Sequence, residues 1–584
     1  MENNKENNTE NTRDFGLLAL IFLVILYRKY GEWVQAKLQE PYSLVLLGLA
    51  VALALGLLWC TGHYIEKLRN RFNMWRLGIK PAKDIAFPFY IFDLPKQLKA
   101  LYQKGNNLDM TLLGMNAEKR NKEMVTVSDI QRSQHLQILG MTGTGKTSGV
   151  FLPLIYQDAL KNRPVIILDA KGELSSIYQL HAMLASIGRA DDFLLFSLAY
   201  KDISCTYNPL FVGECDPQIV IDAFLSNFQD DNSFYREMSK TIFTNAFYIL
   251  HSLGKPFTVL DIYAYLTKPS CYSFINKQIT DKHGKGMTHL KLLEGLIERL
   301  KNQQNGLENV IAGFTNYLFA HQDSTLNDPD SDIVLTDAIR QRKIVYFQLP
   351  TNSYPIQAIS IARMVQANLR YISSLIQTGQ IPKNTLVSIV IDEYASFAEE
   401  SFVEVLNKAR SSGMMVTIAH QSLSDLKAIS VTFMKRIDEN TLNKIYLRQT
   451  DPELCELIAK SMGTYLKEEK TYRMTAGKFG NQIYSGESSN RVVNEFHFPP
   501  DKIKNLHKFG QGYFIYRGDN SQKCVNLGHF VDMPELQYKR KEKKNKRGGL
   551  RLFEKYYLNS AKPKLEKPEK DNKEDGGARP HIGD

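Results

Sequence analysis

Cysteine is scarce in this chain, and its placement excludes two kinds of small-domain chemistry. Six cysteines are spread over 584 residues, with none in a CxxC pair and no Cys/His cluster at zinc-finger spacing. This distribution excludes a disulfide framework and a zinc finger, and it favours a reducing cytosol. No small-residue cleavage site follows the first apolar run at 15–27, which argues against a secretory signal peptide.

The body of the chain also lacks net charge. The formal charge of +11 is concentrated in residues 61–83, with a net +5, and in residues 539–584, with a net +7. The remainder is therefore near neutral, and the total charge is no evidence for nucleic-acid binding. Topology and a solvated tail are the simplest interpretation of the two basic segments.

Charged residues are absent from one long run near the start. Residues 43–60, SLVLLGLAVALALGLLWC, suffice with their flanks to cross about 30 Å of hydrocarbon. The weaker run 15–27 could also span with help from interfacial residues, so we expect two transmembrane helices, although a buried core helix is the alternative for 43–60. The cations at 61–83 place the following chain in the cytoplasm by the positive-inside rule.

Residues 135–147, HLQILGMTGTGKT, contain a phosphate-binding loop between a predicted strand and a predicted helix. Glycines in G-x-x-x-x-G-K-[ST] let backbone N–H groups turn toward phosphate oxygens, while the lysine reaches the β- and γ-phosphates and the threonine binds Mg²⁺. The sequence therefore predicts an ATP and Mg²⁺ site. Its predicted cofactor-binding residues are Gly140, Met141, Thr142, Gly143, Thr144, Gly145, Lys146, Thr147 and Ser148.

An acidic pair follows a second buried strand in LVSIVIDEYASF, residues 386–397. Parallel strands deliver their last residues to the sheet edge where ligands bind. We expect Asp392 to bind Mg²⁺ together with Thr147, and Glu393 to polarise the attacking water as the catalytic base. Lys146 is the other predicted catalytic residue of this pair of motifs.

Two more strand ends carry polar residues. MMVTIAHQSLSDL, residues 414–426, predicts a strand that ends near Gln421, whose amide could sense the γ-phosphate or the water, or could simply be a polar strand end. PVIILDAKGEL, residues 164–174, ends in Asp169, Lys171 and Glu173. These charges fit a loop that faces the site, or a turn that exposes charge.

The ordered set of motifs resembles one family. The phosphate loop, DAKGE, TYNPL (206–210), IDEYASF, AHQSLSDL, LRQTDPE (447–453) and NEFHFPPDKIKNL (494–506) follow paired membrane segments. This is similar to the type IV coupling proteins, the TraD/TraG-like ATPases of conjugative DNA transfer. The resemblance implies a RecA-like nucleotide-binding domain, an inserted all-α domain and a ring of six subunits at the bacterial inner membrane. It implies a DNA–relaxase cargo, with single-stranded or double-stranded DNA, and type IV secretion channel proteins as partners.

The resemblance and the periodicity predict an α/β organisation. We expect a membrane anchor at 1–85, a RecA-like domain at 86–215 and 336–535, an all-α domain at 216–335 and a basic disordered tail at 536–584. Related ring motors use an arginine across the subunit interface, and Arg410 is the candidate here, with a surface salt bridge as the alternative.

Three other functions stay open. A coupling protein for protein effectors fits the same motifs. A chromosome-segregation translocase of double-stranded DNA would normally carry a winged-helix module at its end, whereas the last residues here have a disordered composition. A non-enzymatic assembly scaffold would predict a damaged acidic pair, yet Asp392 and Glu393 are both present.

Overall fold

The computed structural model describes residues 28, 29 and 32 and then residues 92–558, with gaps at 103–104, 119–122, 214, 227, 229–231, 285, 303–305, 477–481, 507, 529, 531–534 and 541–547. The chain divides into two units, Met1–Ile85 and Ala86–Asp584, and the fold described is that of the second. Within the described ranges no helix is both long and apolar enough to cross a membrane. The two apolar runs predicted to span, 15–27 and 43–60, lie outside those ranges.

One large mixed sheet forms the centre of the second unit. Its strands and a separate hairpin are β1 Met110–Asn116, β2 Met124–Ser128, β3 Leu136–Leu139, β4 Val165–Asp169, β5 Phe193–Ser197, β6 Ile344–Gln348, β7 Val387–Asp392, β8 Met414–His420, β9 Asn443–Tyr446, β10 Thr464–Ala476, β11 Gln482–Phe496, β12 Gln511–Tyr516 and β13 Ser521–Leu527. The 11-stranded sheet has the order β2-β1-β13-β12-β9-β3-β8-β7-β4-β6-β5, and β10 and β11 pair with each other.

The part of the sheet from β9 to β5 is parallel, and the part from β2 to β12 is antiparallel. Strands β4, β6, β7 and β8 are buried at every position. Continuous apolar runs of this kind are expected where helices cover both faces of a parallel sheet. The predicted α/β fold is confirmed in this respect, and the sequence located these strands correctly.

The helices cover both faces of the sheet. They are α1 Leu94–Leu101, α2 Asp129–Arg132, α3 Leu152–Leu160, α4 Leu174–Ala185, α5 Pro217–Leu225, α6 Ser233–Ser252, α7 Val259–Thr267, α8 Pro269–His283, α9 Thr288–Lys301, α10 Gly306–Ala320, α11 Leu335–Arg340, α12 Pro355–Gln377, α13 Phe402–Ala409, α14 Leu423–Lys427, α15 Val431–Asn440, α16 Pro452–Ser461 and α17 Asp501–Lys504. Alternate residues of β4 show the two layers. Ile166 and Leu168 belong to the core with α12 and α13, and Val165 and Ile167 to the core with α3 and α4.

The excursion between β5 and β6 is helical. Helices α5 to α11 occupy it, and its described residues contain no strand, only an isolated bridge between Tyr207 and Ile333. Their apolar faces pack into the same core as α12, as Phe224, Phe247 and Leu318 show. The excursion is all-helical, as the periodicity indicated, while the exact limits 216 and 335 stay a prediction.

The region after β13 differs from the expectation of a disordered tail that begins at 536. Tyr538, Leu550 and Leu552 are buried. The backbone N–H of Leu552 donates to Asp261 Oδ1 at 2.6 Å, and Arg540 Nη2 lies 2.6 Å from Asp332 Oδ2. Burial of Leu550 and Leu552 and these polar contacts hold the stretch against the folded chain. The dense surrounding cations concealed its apolar residues in the composition.

Candidate nucleotide site

A cavity of about 250 Å³ lies at the carboxyl ends of β3, β4 and β7, and we refer to it as the loop cavity. Three segments of the chain and Phe509 supply its walls. The lining residues are Met141, Thr142, Gly143, Gly145, Lys146, Thr147, Ser148, Leu152, Asp169, Lys171, Glu173, Ser175, Ser176, Gln179, Asp392, Glu393 and Phe509. The structure thus brings together most of the predicted loop with the acidic pair and with the DAKGE residues.

The backbone of the loop needs its glycines. Gly143 and Gly145 have φ angles of +76° and +98°, which residues other than glycine rarely adopt. A Cβ atom on Gly140 would lie 2.8 Å from both Leu447 Cβ and Thr144 Oγ1. Gly140 and Thr144 therefore shape the loop without lining the cavity, and Thr144 Oγ1 donates to the Met141 carbonyl at 2.7 Å.

Lys146 holds its charge at the centre of the loop. Its side chain is buried, and Nζ donates to the carbonyl oxygens of Gly140 at 2.6 Å and Met141 at 3.2 Å. Burial lowers the pKa of Lys146, while the carboxylates of Glu393 and Asp392 act in the opposite direction. An anion in the loop cavity would supply the counter-charge that this buried ammonium has only in part.

Asp392 connects the loop to the neighbouring strand. It ends β7 with 4% of its surface exposed, and its Oδ2 accepts a hydrogen bond from Thr147 Oγ1 at 3.2 Å. Lys171 Nζ lies 3.0 Å from the same oxygen. A hydroxyl and a carboxylate that converge in this way are the oxygen ligands that Mg²⁺ prefers.

Asp169 lies beside Asp392 across the sheet, because the two residues are partners in the β4–β7 register. Burial and then the charge of Asp392 raise the pKa of Asp169 to about 7. Tyr346 donates its hydroxyl to Asp169 Oδ2 at 2.6 Å. The DAKGE turn therefore faces the cavity, which decides between the two interpretations that the sequence left open.

Glu393 has an unusual backbone. Its φ and ψ angles of 52° and 49° place it in the left-handed helical region, and its N–H donates to Asp392 Oδ1 at 2.9 Å. A non-glycine residue pays roughly 1–2 kcal/mol for this conformation. The turn directs Glu393 into the loop cavity beside Asp392, and strained backbone of this kind is common at functional sites.

Gln421 and Arg410 do not line the loop cavity. Gln421 is exposed just after β8, and its carbonyl accepts from Gln449 Nε2 at 3.2 Å. Arg410 is also exposed, in a short helix that precedes β8, at the opposite sheet edge from the cavity. The roles suggested for these two residues remain predictions.

A buried polar row next to the cavity was missed by the sequence interpretation. Gln137 Nε2 lies 2.7 Å from His420 Nε2, and Lys444 Nζ donates to Gln137 Oε1 at 2.5 Å. His420 Nδ1 donates to the Ser422 carbonyl at 2.8 Å, which fixes the backbone on both sides of Gln421. Burial lowers the pKa of His420 to about 4, so its ring is neutral. The sequence signal that could have revealed this row is the presence of single polar residues within otherwise apolar strands.

Two family models match the chain. The TraM recognition site of TraD and TraG covers residues 386–508, and the central domain of the helicase HerA covers residues 127–366. The type 4 coupling protein DotL of Legionella pneumophila subsp. pneumophila is 23% identical in an alignment of 430 residues that covers 64% of this chain. The match covers 55% of DotL, so the chain spans about half the length of that curated relative.

The fold is similar to that of a solved protein, the bacterial conjugative coupling protein TrwBdeltaN70. Its unbound monoclinic form is 17% identical, with a TM-score of 0.51 over 78% of this chain and 99% of that one. The trigonal form in complex with sulphate is 18% identical, with a TM-score of 0.52 over 79% and 98%. At these identities the similarity concerns the α/β fold alone. The ordered motifs, the two family models and DotL together make this chain similar to the type IV coupling proteins.

Proposed function

We propose that this protein is a membrane-anchored ATPase that couples cargo to a type IV secretion channel and drives its transfer by ATP hydrolysis. The observation that carries the proposal is the hydrogen bond of 3.2 Å from Thr147 Oγ1 to Asp392 Oδ2, which joins the phosphate loop to the acidic strand. Lys146 and Glu393 line the same cavity. A phosphate cradle, a metal-ligand pair and a base are the parts that ATP hydrolysis requires.

The residues fit Mg-ATP by their chemistry. The positive φ angles of Gly143 and Gly145 turn the loop backbone so that its N–H groups can face phosphate oxygens. Thr147 and Asp392 would hold Mg²⁺, and Lys146 would bind the β- and γ-phosphates. The metal ion, when bound, neutralises charge that develops on the phosphates.

Within this site Glu393 would accept the proton of the attacking water, and Lys171 would regulate Asp392. The Lys171 ammonium lies 3.0 Å from the oxygen that Asp392 would offer to Mg²⁺. With its pKa raised to about 7, Asp169 holds a proton over more of the pH range than an ordinary aspartate, so Asp392 has less negative charge beside it. Because Lys171 contacts the Asp392 oxygen that Mg²⁺ would bind, metal binding would release Lys171 from Asp392.

The cargo and the assembly are proposed from the resemblance to the coupling proteins. The TraM recognition model supports a contact with a partner protein of the conjugative machinery, and we propose a DNA–relaxase complex as the cargo.

The two apolar runs at 15–27 and 43–60 support an anchor in the bacterial inner membrane. A homohexamer with ATP at subunit interfaces would give Arg410 a partner subunit to act on. A coupling protein for protein effectors is the alternative, because similarity to the type 4 coupling protein DotL does not distinguish the two kinds of cargo.

The test compares ATP turnover with cargo transfer in the same variants. Full-length wild type, Lys146→Ala and the control Lys460→Ala, whose side chain is 66% exposed, would be assayed for hydrolysis with and without single-stranded DNA. We expect Lys146→Ala to abolish hydrolysis and transfer and Lys460→Ala to keep both. A mating assay and an effector-secretion assay then distinguish the cargo. Wild-type protein without ATP turnover in any condition would exclude the motor and favour the scaffold.

A further inference from the structure

Three fully buried polar side chains cross the centre of the sheet, and we refer to Gln137, His420 and Lys444 as the polar row. They belong to the adjacent strands β3, β8 and β9, with β3 in the middle. Gln137 lies opposite Lys444 in the β3–β9 register. Its amide contacts the His420 ring on one side and the Lys444 ammonium on the other. The polar row therefore links three neighbouring strands.

The hydrogen bonds of the polar row all run in one direction. The Ser422 carbonyl can only accept, so His420 Nδ1 carries a proton and donates to it at 2.8 Å. Burial lowers the pKa of His420 to about 4, so the ring is neutral and Nε2 accepts from Gln137 Nε2 at 2.7 Å. The Gln137 amide is thereby oriented with Oε1 toward Lys444, whose ammonium only donates. A single arrangement of donors and acceptors satisfies the row, and it ends at the Ser422 carbonyl.

Lys444 anchors the other end of the polar row. Its Nζ donates to Thr441 Oγ1 at 2.7 Å and lies 2.9 Å from Asp438 Oδ1. Asp438 also accepts from Arg517 Nη1 at 2.6 Å. Burying an ammonium costs free energy even when it is paired, and well-packed apolar side chains in its place often leave a protein equally stable or more stable. Stability alone therefore does not account for the row.

The end of the polar row at Ser422 fixes the turn that carries Gln421. The His420 carbonyl accepts from the Gly140 N–H at 3.4 Å, and the Gln421 carbonyl accepts from Gln449 Nε2 at 3.2 Å. With the bond from His420 Nδ1 to Ser422, all three carbonyls of the turn accept hydrogen bonds. Ser422 is also the N-cap of α14, so Gln421 is the one residue between the strand and the cap.

The position of β8 in the sheet gives this turn a place in the reaction. β8 lies between β3, which leads into the loop with Lys146, and β7, which ends at Asp392. The carboxyl ends of parallel strands meet at one edge of a sheet. A γ-phosphate bound between Lys146 and the acidic pair would therefore lie over the tip of β8. The Gln421 side chain is exposed at that tip, so the direction of its amide depends on how the turn is held.

We propose that the polar row positions Gln421, by holding the turn so that the Gln421 amide meets the γ-phosphate or the attacking water. This rests on the proposed function, because it takes ATP hydrolysis as the reaction. Gln137, His420 and Lys444 are positioning residues, since they act through the turn and not on the nucleotide. Their loss should lower kcat and leave the KM for ATP unchanged, because the phosphate loop with Lys146 is intact.

Two substitutions of His420 separate the two nitrogens of its ring. His420→Asn places an amide donor near Nδ1 and can keep the bond to Ser422, whereas His420→Gln places an amide oxygen near Nε2 and keeps only the bond from Gln137. Steady-state ATP hydrolysis would be measured on the full-length chain in detergent. We expect His420→Gln to lower kcat roughly tenfold, the effect of one hydrogen bond, and His420→Asn to retain most of the wild-type value.

The matched control is His321→Gln. The His321 ring is equally buried, and its Nδ1 donates to the Tyr317 carbonyl at 2.9 Å. The control therefore loses the same kind of hydrogen bond at a residue that does not line the loop cavity. We expect it to hydrolyse ATP as the wild type does.

A double-mutant cycle tests whether the polar row acts through Gln421. Gln421→Ala should lower kcat by itself, and adding His420→Gln or Lys444→Met should then cause no further loss. Lys444→Met keeps an unbranched side chain and loses the donors. Thermal unfolding shows which variants are folded, and Lys444→Met decides by the same cycle if the His420 variants are not.

Five results would overturn the role of the polar row. They are an unchanged kcat in Gln421→Ala, equal kcat in the two His420 variants, a further loss when His420→Gln is added to Gln421→Ala, a loss that appears in KM and not in kcat, and a similar loss in His321→Gln. Absence of hydrolysis in the wild type would refute the ATPase and the role of the row with it. Failure of the variant comparison alone would refute the row and leave the ATPase standing.

Discussion

Replacing Glu393 with glycine should raise the free energy of unfolding and lower the rate of ATP turnover. The residue has φ 52° and ψ 49°, a left-handed conformation that costs a non-glycine residue roughly 1–2 kcal/mol. Glycine removes this cost but loses about 0.5–1 kcal/mol through its greater freedom in the unfolded chain. The net expectation is an increase of about 0.5–1 kcal/mol in the free energy of unfolding. Loss of the carboxylate base should meanwhile reduce ATP turnover by a factor of roughly 10² to 10⁴.

The measurement pairs urea unfolding with steady-state hydrolysis. Both assays would use residues 86–584, the second of the two units into which the chain divides, which we expect to fold without the first. Glu393→Gln keeps the backbone strain and loses the base, and we expect it to retain Mg-ATP binding. Glu404→Gly is the matched control, since Glu404 is exposed within α13 and glycine there should lower the unfolding free energy by about 1 kcal/mol.

Two outcomes would refute this reasoning. A Glu393→Gly variant that is less stable than wild type would show that the backbone of Glu393 carries no strain to relieve. A Glu393→Gln variant with near wild-type turnover would show that another group accepts the proton. If Glu404→Gly lost activity as well, the hydrolysis assay would be reporting general damage to α13 and its neighbours.

Three further predictions follow from the same contacts. Lys146→Ala should lose affinity for Mg-ATP in a titration, because the loop then has no buried ammonium for the phosphates. Asp158→Asn should lower the unfolding free energy at pH 7 by about 3–5 kcal/mol, because it breaks the buried pair with Arg132 Nη1 at 2.6 Å. Burial opposes ionisation of Asp158, yet Arg132 and Arg163 lower its pKa from 3.8 to about 2, so its contribution is present above pH 4 and is lost as the pH falls through 2. Deleting 559–584 should keep ATP turnover and lower transfer of the native cargo, whereas deleting 539–584 should also reduce thermal stability, because Leu550 and Leu552 are buried.

The chemistry of the candidate site could be predicted from local sequence. The glycine spacing of the loop, the lysine and threonine that follow it, and the acidic pair after an apolar run each reflect a short-range requirement. Phosphates need inward N–H groups, and a parallel strand delivers its last residues to one edge. These rules brought Lys146, Thr147, Asp392 and Glu393 to one cavity, as expected.

Tertiary structure decided what local rules could not. Phe509, which precedes β12 in the chain, lines the cavity of the phosphate loop. The register of β4 against β7 places Asp169 beside Asp392. The stretch around Leu552 is ordered by Asp261, a residue 291 positions away. Composition and periodicity describe a residue and its near neighbours along the chain. Contacts made across a sheet or between distant segments depend on how those elements pack, so only the folded chain establishes which cations are solvated, which acid has a raised pKa and which ring lies against the phosphate loop.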